Sequence, residues 1–250
     1  MRFVIFSGTT EGRKLSALLA EAGAEVTVCV ASDYGSEEQG MIPGVETRTG
    51  PLSQEEKWEL LEGCTLCVDA THPYATHVTA SVREACRDAG VRYVRLLRPA
   101  SETGDARCFE SAEDAADWLR RQEGNILLTT GAKELSAYAA IDPERLYPRI
   151  LPSHQSLEAC ERLGVPHRNI IAMQGPFSAE LNRAIIRQYG IRYLVTKDGG
   201  APGGFPEKAE AARETETELI LLCRPEESGL EFETVYQMCM TLLKSSDAIK

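Results

Sequence analysis

The chain has 250 residues, 43% apolar and 26% charged, an ordinary globular balance that excludes disorder as its main state. A net charge of −11 argues against nucleic acid or an anionic membrane as partner, because such a chain repels polyphosphate at long range. No stretch approaches the roughly 18 apolar residues that span a bilayer, and the first residues read as a strand instead of a signal peptide, so the expected compartment is the cytoplasm.

Strand-like and helix-like segments alternate along the whole chain, as in parallel sheets with crossover helices. The first lobe reads strand 2–6, helix 11–22, strand 25–31 and a short strand 45–48. Ser53 and Glu56 then make a capping box for a helix ending near Leu61, followed by strand 65–69, helix 75–89 and strand 92–96. Residues 99–106 carry Pro, Ser, Thr and Gly in succession and break the periodicity, which predicts a linker. A second series follows: strand 125–129, helix 133–140, strands 146–150 and 169–172, helix 178–189, strand 192–196, helix 207–215, strand 218–222 and helix 231–244. The expected fold is α/β: two Rossmann-like parallel-sheet lobes with a cleft between them, 1–98 binding a dinucleotide and 107–250 forming the opposite wall.

The eight cysteines sit mostly in apolar runs and read as reduced core thiols. Cys64 and Cys67 form a C-x-x-C, but no second Cys or His pair stands at ligand spacing, so no metal site is expected. Anionic ligands would have to meet local basic clusters, either Arg92, Arg95 and Arg98 or Arg145, Arg149 and Arg168.

The segment most informative about chemistry is Ser7-Gly8-Thr9-Thr10-Glu11-Gly12-Arg13, between the first strand and the first helix. Glycine lets backbone approach a ligand, and the N–H groups and dipole of a helix start attract phosphate. The segment lacks the full G-x-G-x-x-G fingerprint, and its glycines would serve a plain turn equally well. After the second strand, Ser32 suits a ribose 2′-phosphate while Asp33 suits a free 2′-hydroxyl, which leaves NADPH and NADH both open. The fourth strand runs into Asp69-Ala70-Thr71-His72-Pro73-Tyr74-Ala75 at the ligand-binding end of such a sheet; His72 is either a capping residue or a catalyst. In the second lobe, Lys197-Asp198-Gly199-Gly200 and Gln174-Gly175-Pro176-Phe177 follow strands and offer a cation and close backbone approach.

These segments, with Ser32-Asp33-Tyr34-Gly35, Arg98-Pro99, Thr129-Thr130-Gly131 and Arg224-Pro225, stand in the order found across nearly the whole length of the precorrin-6A reductases of cobalamin biosynthesis, which the chain resembles. The Asp-Ala-Thr-His-Pro-Tyr-Ala run is the most specific. Two positions depart: Ser7 stands where the family often has glycine, and Gly199 where it often has serine. The resemblance implies hydride transfer from NADPH or NADH to one double bond of a polycarboxylate tetrapyrrole. It places Ser7, Gly8, Thr9, Thr10, Glu11 and Gly12 with Ser32 and Tyr34 around the cofactor, and Thr71, His72 and Tyr74 beside the nicotinamide, with His72 the candidate proton donor. It assigns Arg98, Thr130, Gly175, Pro176, Lys197, Asp198, Gly199 and Gly200 to the substrate.

Three rival readings stand beside it. Tyr193 and Lys197 match the Tyr-x-x-x-Lys of short-chain dehydrogenases, but on a strand this spacing separates them by roughly 13 Å. A non-catalytic dinucleotide sensor would bind the cofactor without turnover. An S-adenosylmethionine-dependent methyltransferase would bind that ligand in competition with NADPH.

Overall fold

The computed structural model describes residues 1–98, 103–200, 203–225 and 227–247, apart from the side chains of Tyr34, Ser246 and Asp247. The chain divides into two units, Met1–Pro99 with Pro225–Lys250, and Ala100–Arg224.

In the first unit β1 (Arg2–Phe6), β2 (Glu25–Val30), β3 (Val45–Thr49), β4 (Leu66–Asp69) and β5 (Tyr93–Arg95) form one sheet in the order β3-β2-β1-β4-β5, with every pairing parallel. Residues 3–6 of β1 are buried on both faces, which is why this central strand reads as an unbroken apolar run. Phe3 and Ile5 face the layer made with Leu15 and Leu19 of α1 (Thr10–Glu21). Val4 and Phe6 face Leu60 and Leu61 of α3 (Gln54–Leu61) and Val82, Ala85 and Cys86 of α4 (Thr76–Asp88). The capping box at Ser53 and Glu56 is present as the sequence predicts. A short helix, α2 (Asp33–Gln39), occupies a segment to which the sequence reading assigned no element.

In the second unit β6 (Arg107–Phe109), β7 (Asn125–Leu128), β8 (Leu146–Ile150), β9 (Ile171–Ala172), β10 (Ile191–Lys197) and β11 (Glu218–Leu222) pair in the order β6-β11-β10-β7-β8-β9, again all parallel. Between them lie α5 (Ala112–Leu119), α6 (His154–Arg162), α7 (Ala179–Gln188) and α8 (Phe205–Glu214). The expected helix 133–140 is a 3-10 helix, Ala132–Tyr138. β6, α5 and α6 were not foreseen; α5 and α6 start at serine caps, where Ser111 accepts from Asp114 N–H and Ser153 from Ser156 N–H.

The expected division at 107–250 needs correcting, because residues 225–250 belong with the first unit. Val235, Cys239 and Leu243 of α9 (Phe232–Asp247) join Phe3, Ile5, Val94 and Leu96 in one apolar layer. A parallel bridge pairs Leu230 with Leu96 beside β5. The helix was legible in sequence, but which sheet it covers is a long-range fact that periodicity does not carry. Of the expected linker, residues 99–102 lie outside the described residues, and 103–106 turn into β6. Among the described residues no helix is long and apolar enough to cross a membrane.

Val235→Asp is expected to destabilise the first unit by on the order of 3 kcal/mol, since it leaves an unpaired carboxylate in an apolar layer. Urea denaturation followed by the fluorescence of Trp58 would register this, and an unchanged transition there would contradict the assignment of α9.

Candidate active site

Open parallel sheets bind ligands where connections leave neighbouring strands in opposite directions, outside the carboxyl ends. In the first unit that point lies between β1 and β4. There Thr9 Oγ1 donates to Ala70 O at 2.8 Å and accepts from Gly12 N–H at 3.2 Å, so one hydroxyl caps α1 and ties the two strand ends together. Gly8 has φ +155°, and a Cβ there would meet nothing within 4 Å. Its side of the turn is therefore open for a ligand to approach backbone. Gly12 has the opposite role, since its Cβ would stand 2.5 Å from Ser7 Oγ and 2.9 Å from Ala70 Cβ. It lets α1 seat against both strand ends. The first turn of the helix leaves the N–H groups of Thr10 and Glu11 without intrahelical partners, at the positive end of the dipole. This donor set fits a dinucleotide pyrophosphate.

Two expected cofactor contacts need revision. Ser7 is buried, and its hydroxyl faces Gln39 Oε1 at 3.5 Å, so it turns into the protein and not toward a ligand. The Glu11 carboxylate accepts from Arg98 Nε and Nη2 at 2.9 and 2.8 Å, which directs it to a cation instead of a phosphate. The same pair takes Arg98 into the first unit, whereas the sequence reading gave it to the substrate. Ser32 caps α2 by accepting from Gly35 N–H at 3.1 Å and remains exposed. The side chain of Tyr34 lies outside the described residues.

The loop after β4 stands on Asp69, which is 0% exposed. Asp69 Oδ1 accepts from Thr71 N–H (3.0 Å), Thr71 Oγ1 (2.7 Å) and Arg95 Nη1 (2.8 Å), and Oδ2 accepts from Tyr93 Oη (2.9 Å). Burial, with Asp69 beside it, holds the Tyr93 hydroxyl well above the usual phenol range. Arg95 Nη1 also donates to Thr71 O at 3.0 Å, while Nη2 reaches Glu227 at 2.9 Å. This network holds His72 and Tyr74 in the adjoining turn, where Tyr74 N–H donates to His72 Nδ1 at 3.4 Å and the rings are 5.5 Å apart. An accepting Nδ1 puts the proton of the neutral imidazole on Nε2.

In the second unit the corresponding point lies between β7 and β10. Lys197 Nζ pairs with Glu134 Oε1 at 2.6 Å. Asp198 is buried; Oδ1 accepts from Gly200 N–H at 3.0 Å and Oδ2 pairs with Arg224 at 3.0 Å, so its role is to fix the loop. Gly199 lets the loop close, since its Cβ would lie 3.1 Å from Gly203 Cα. After β7, Thr130 Oγ1 and the Tyr138 hydroxyl are buried without a hydrogen-bond partner among the described residues. Gly175-Pro176 is a cis peptide preceding α7. The structure thus gathers Thr9, Gly8 and Thr71 in one unit and Lys197 with Thr130 in the other.

Neither expected basic cluster survives intact. Arg95 and Arg98 are paired as above, Arg168 pairs with Glu144, and Arg145 donates to Gly124 O at 3.0 Å. Arg149 alone of its group turns inward, donating to Asn182 Oδ1 at 2.6 Å and lying 4.0 Å over the Phe177 ring. Burial lowers its pKa to about 10. Sequence reasoning missed Lys208, whose ammonium donates to Thr196 Oγ1 at 3.0 Å. Burial first, then the Arg149 charge, lowers its pKa to about 8. It also left Asp69 without a role and gave Arg95 only to a basic cluster for anions, although a charged residue closing a short apolar strand is a visible signal.

The family model described as precorrin-6x reductase CbiJ/CobK matches residues 2–242. Cobalt-precorrin-6A reductase of Methanothermobacter thermautotrophicus is 37% identical over 94% of this chain and 80% of that protein. Cobalt-precorrin-6A reductase of Priestia megaterium is 34% identical over 93% of each chain. The solved structure of CobK precorrin-6A reductase superposes with a TM-score of 0.75 at 23% identity, covering 96% of this chain and 97% of that one, a likeness of fold.

Arg95→Met is expected to cost about 3–5 kcal/mol, because Asp69 stays buried without its cation, and the double variant with Asp69→Asn should recover part of the loss. Thermal and urea unfolding of the parent and both variants measure this; a double variant no better than Arg95→Met would contradict the pairing. Lys208 gives a pH test. The unfolded chain keeps this proton up to the ordinary 10.5 and the folded chain only to about 8, so stability rises with pH between those values, by about 3 kcal/mol. Lys208→Met should be the more stable protein at pH 7, and its advantage should shrink by pH 10.

Proposed function

The chain belongs to the precorrin-6x reductase family, and from that membership we propose how its strand-end sites act. It is a reductase of cobalamin biosynthesis working on precorrin-6A. We assign it the cobalt form, since the relatives named for that substrate reach 37% identity, although one stands at 27%, against 29% for the precorrin-6A reductase of Mycobacterium tuberculosis. The cofactor is a nicotinamide dinucleotide, NADPH or NADH, which when bound supplies a hydride to one atom of a macrocycle double bond while a proton goes to the other.

Within this reading the open side of Gly8 and the helix start at Thr10 and Glu11 hold the pyrophosphate. Thr9 keeps that turn in register with Thr71, so nicotinamide and loop meet at the end of β4. His72 donates the proton from Nε2, the atom left protonated when Nδ1 accepts from Tyr74. Lys197, Thr130, Gly175 and Pro176 receive the carboxylate-rich substrate, and Gly199 and Gly200 allow backbone to approach it. The eight free thiols suit a reducing compartment, which favours the cytoplasm. The observation that most supports the reading is the Thr9 to Ala70 hydrogen bond, which joins the phosphate-type turn to the histidine loop at a topological switch point.

Anaerobic mixing with NADPH or NADH and either form of precorrin-6A, followed in the visible spectrum, tests it. Oxidation of one NAD(P)H per macrocycle reduced is expected, fastest with the cobalt form. His72→Asn should lower kcat by about 10²-fold or more with nucleotide affinity retained. Nucleotide binding with no oxidation by either substrate would leave the sensor reading in its place.

A further inference from the structure

Among its described residues the second unit buries two cations: Lys208, which the sequence reading passed over, and Arg149, which it placed only in a basic cluster. Arg149 is 6% exposed and Lys208 8%. Among the described residues neither has a carboxylate at ion-pairing distance: the guanidinium has Asn182 and the Phe177 ring, and the ammonium has Thr196. They are near enough for the Arg149 charge to make Lys208 a weaker base. The other charges acting on Lys208 are Glu207, its neighbour on α8, and Asp198, whose carboxylate already serves Arg224 and Gly200 N–H.

Sheet alternation explains how they come together. Leu127 and Leu194 face α7 and α8, with Tyr147 packed against the same layer. Two residues further along these strands, on the same face, stand Thr129, Thr196 and Arg149. The apolar layer therefore turns polar at the carboxyl ends of the strands, where α/β sheets take ligands. This spot also joins the two loops already assigned to substrate: Arg149 stacks on Phe177, next to Pro176, and Lys208 bonds to Thr196, next to Lys197.

Two like charges held out of water destabilise a fold unless an anion completes the set. Resting on the reductase reading, we propose that Arg149 and Lys208 form the receptor for one carboxylate arm of the tetrapyrrole, with Asn182 and Thr196 orienting the two cations. A carboxylate is favoured over a cofactor phosphate because the phosphate-type turn at Gly8 belongs to the first unit.

The test uses the full-length protein with cobalt-precorrin-6A and NADPH. Lys208→Met and Arg149→Gln should each raise the KM for the tetrapyrrole about tenfold or more, with NADPH affinity, read by nucleotide fluorescence, within about twofold of the parent. In the parent, KM should climb above pH 8 by up to about tenfold per pH unit as Lys208 loses its proton, whereas Lys208→Arg should keep a low, flat KM over that range. If Arg149→Gln fails to fold, the two Lys208 variants decide. An active parent whose KM is unmoved in Lys208→Met and equally pH-dependent in Lys208→Arg overturns the receptor alone. Weakened NADPH binding with unchanged tetrapyrrole KM overturns it in favour of a phosphate site. A parent inactive with either form of precorrin-6A removes the reductase reading and the receptor with it.

Discussion

The ion pair of Asp69 and Arg95, wholly buried at the ends of β4 and β5, fixes what the first unit can present to a ligand. Asp69 organises Thr71 through both its amide and its hydroxyl, and Arg95 takes the Thr71 carbonyl, so the residue that leads into the His72 turn is fixed by its amide, hydroxyl and carbonyl. The remaining guanidinium edge reaches Glu227, just after the chain re-enters this unit. One cation therefore couples the histidine turn to the segment that leads into α9. A buried pair of this sort contributes little net stability against an apolar replacement, yet losing one partner is severe. Its presence is better explained by the fixed loop than by the energy of the fold.

The same logic explains how a chain of net charge −11 handles anionic ligands. Long-range attraction is absent, so recognition depends on cations close to the ligand. Several cations near the strand ends already have carboxylates: Arg98 with Glu11, Lys197 with Glu134, Arg224 with Asp198. Such pairs hold long side chains in place and remove the rotamer entropy that binding would otherwise have to supply.

Much of the architecture was legible because central parallel strands are buried on both faces and read as unbroken apolar runs; residues 3–6 and 193–196 are examples. The capping box at Ser53 and Glu56 was a local signal of the same quality. What escaped depended on long-range packing. The short edge strand at 107–109 has no periodicity of its own, and α2 lies in a run of Asp, Gly, Ser and Glu that looks like loop until Ser32 is seen to cap it. The site divided likewise: glycine and threonine turns were readable, whereas the inward turn of Ser7 and the pairing of Glu11 with Arg98 depend on what Gln39 and residue 98 bring from elsewhere.

The contrast between Lys197 and Lys208 shows why motif and mechanism need not coincide. Lys197 is the conspicuous residue, at a strand end before glycines, but a ligand carboxylate must compete there with Glu134 at 2.6 Å. Lys208 sits in the first turn of α8, where the helix dipole disfavours a cation and burial disfavours any charge. Nothing in helix propensity or packing calls for an ammonium at that position; Met would fill the space without the penalty. A side chain that destabilises the folded state and, among the described residues, has one hydrogen bond, to a threonine hydroxyl, is accounted for by a negative partner from outside the chain. For an anion entering the second unit, the least conspicuous lysine therefore offers a larger gain than Lys197, because among the described residues its charge, like that of Arg149, has no carboxylate at ion-pairing distance.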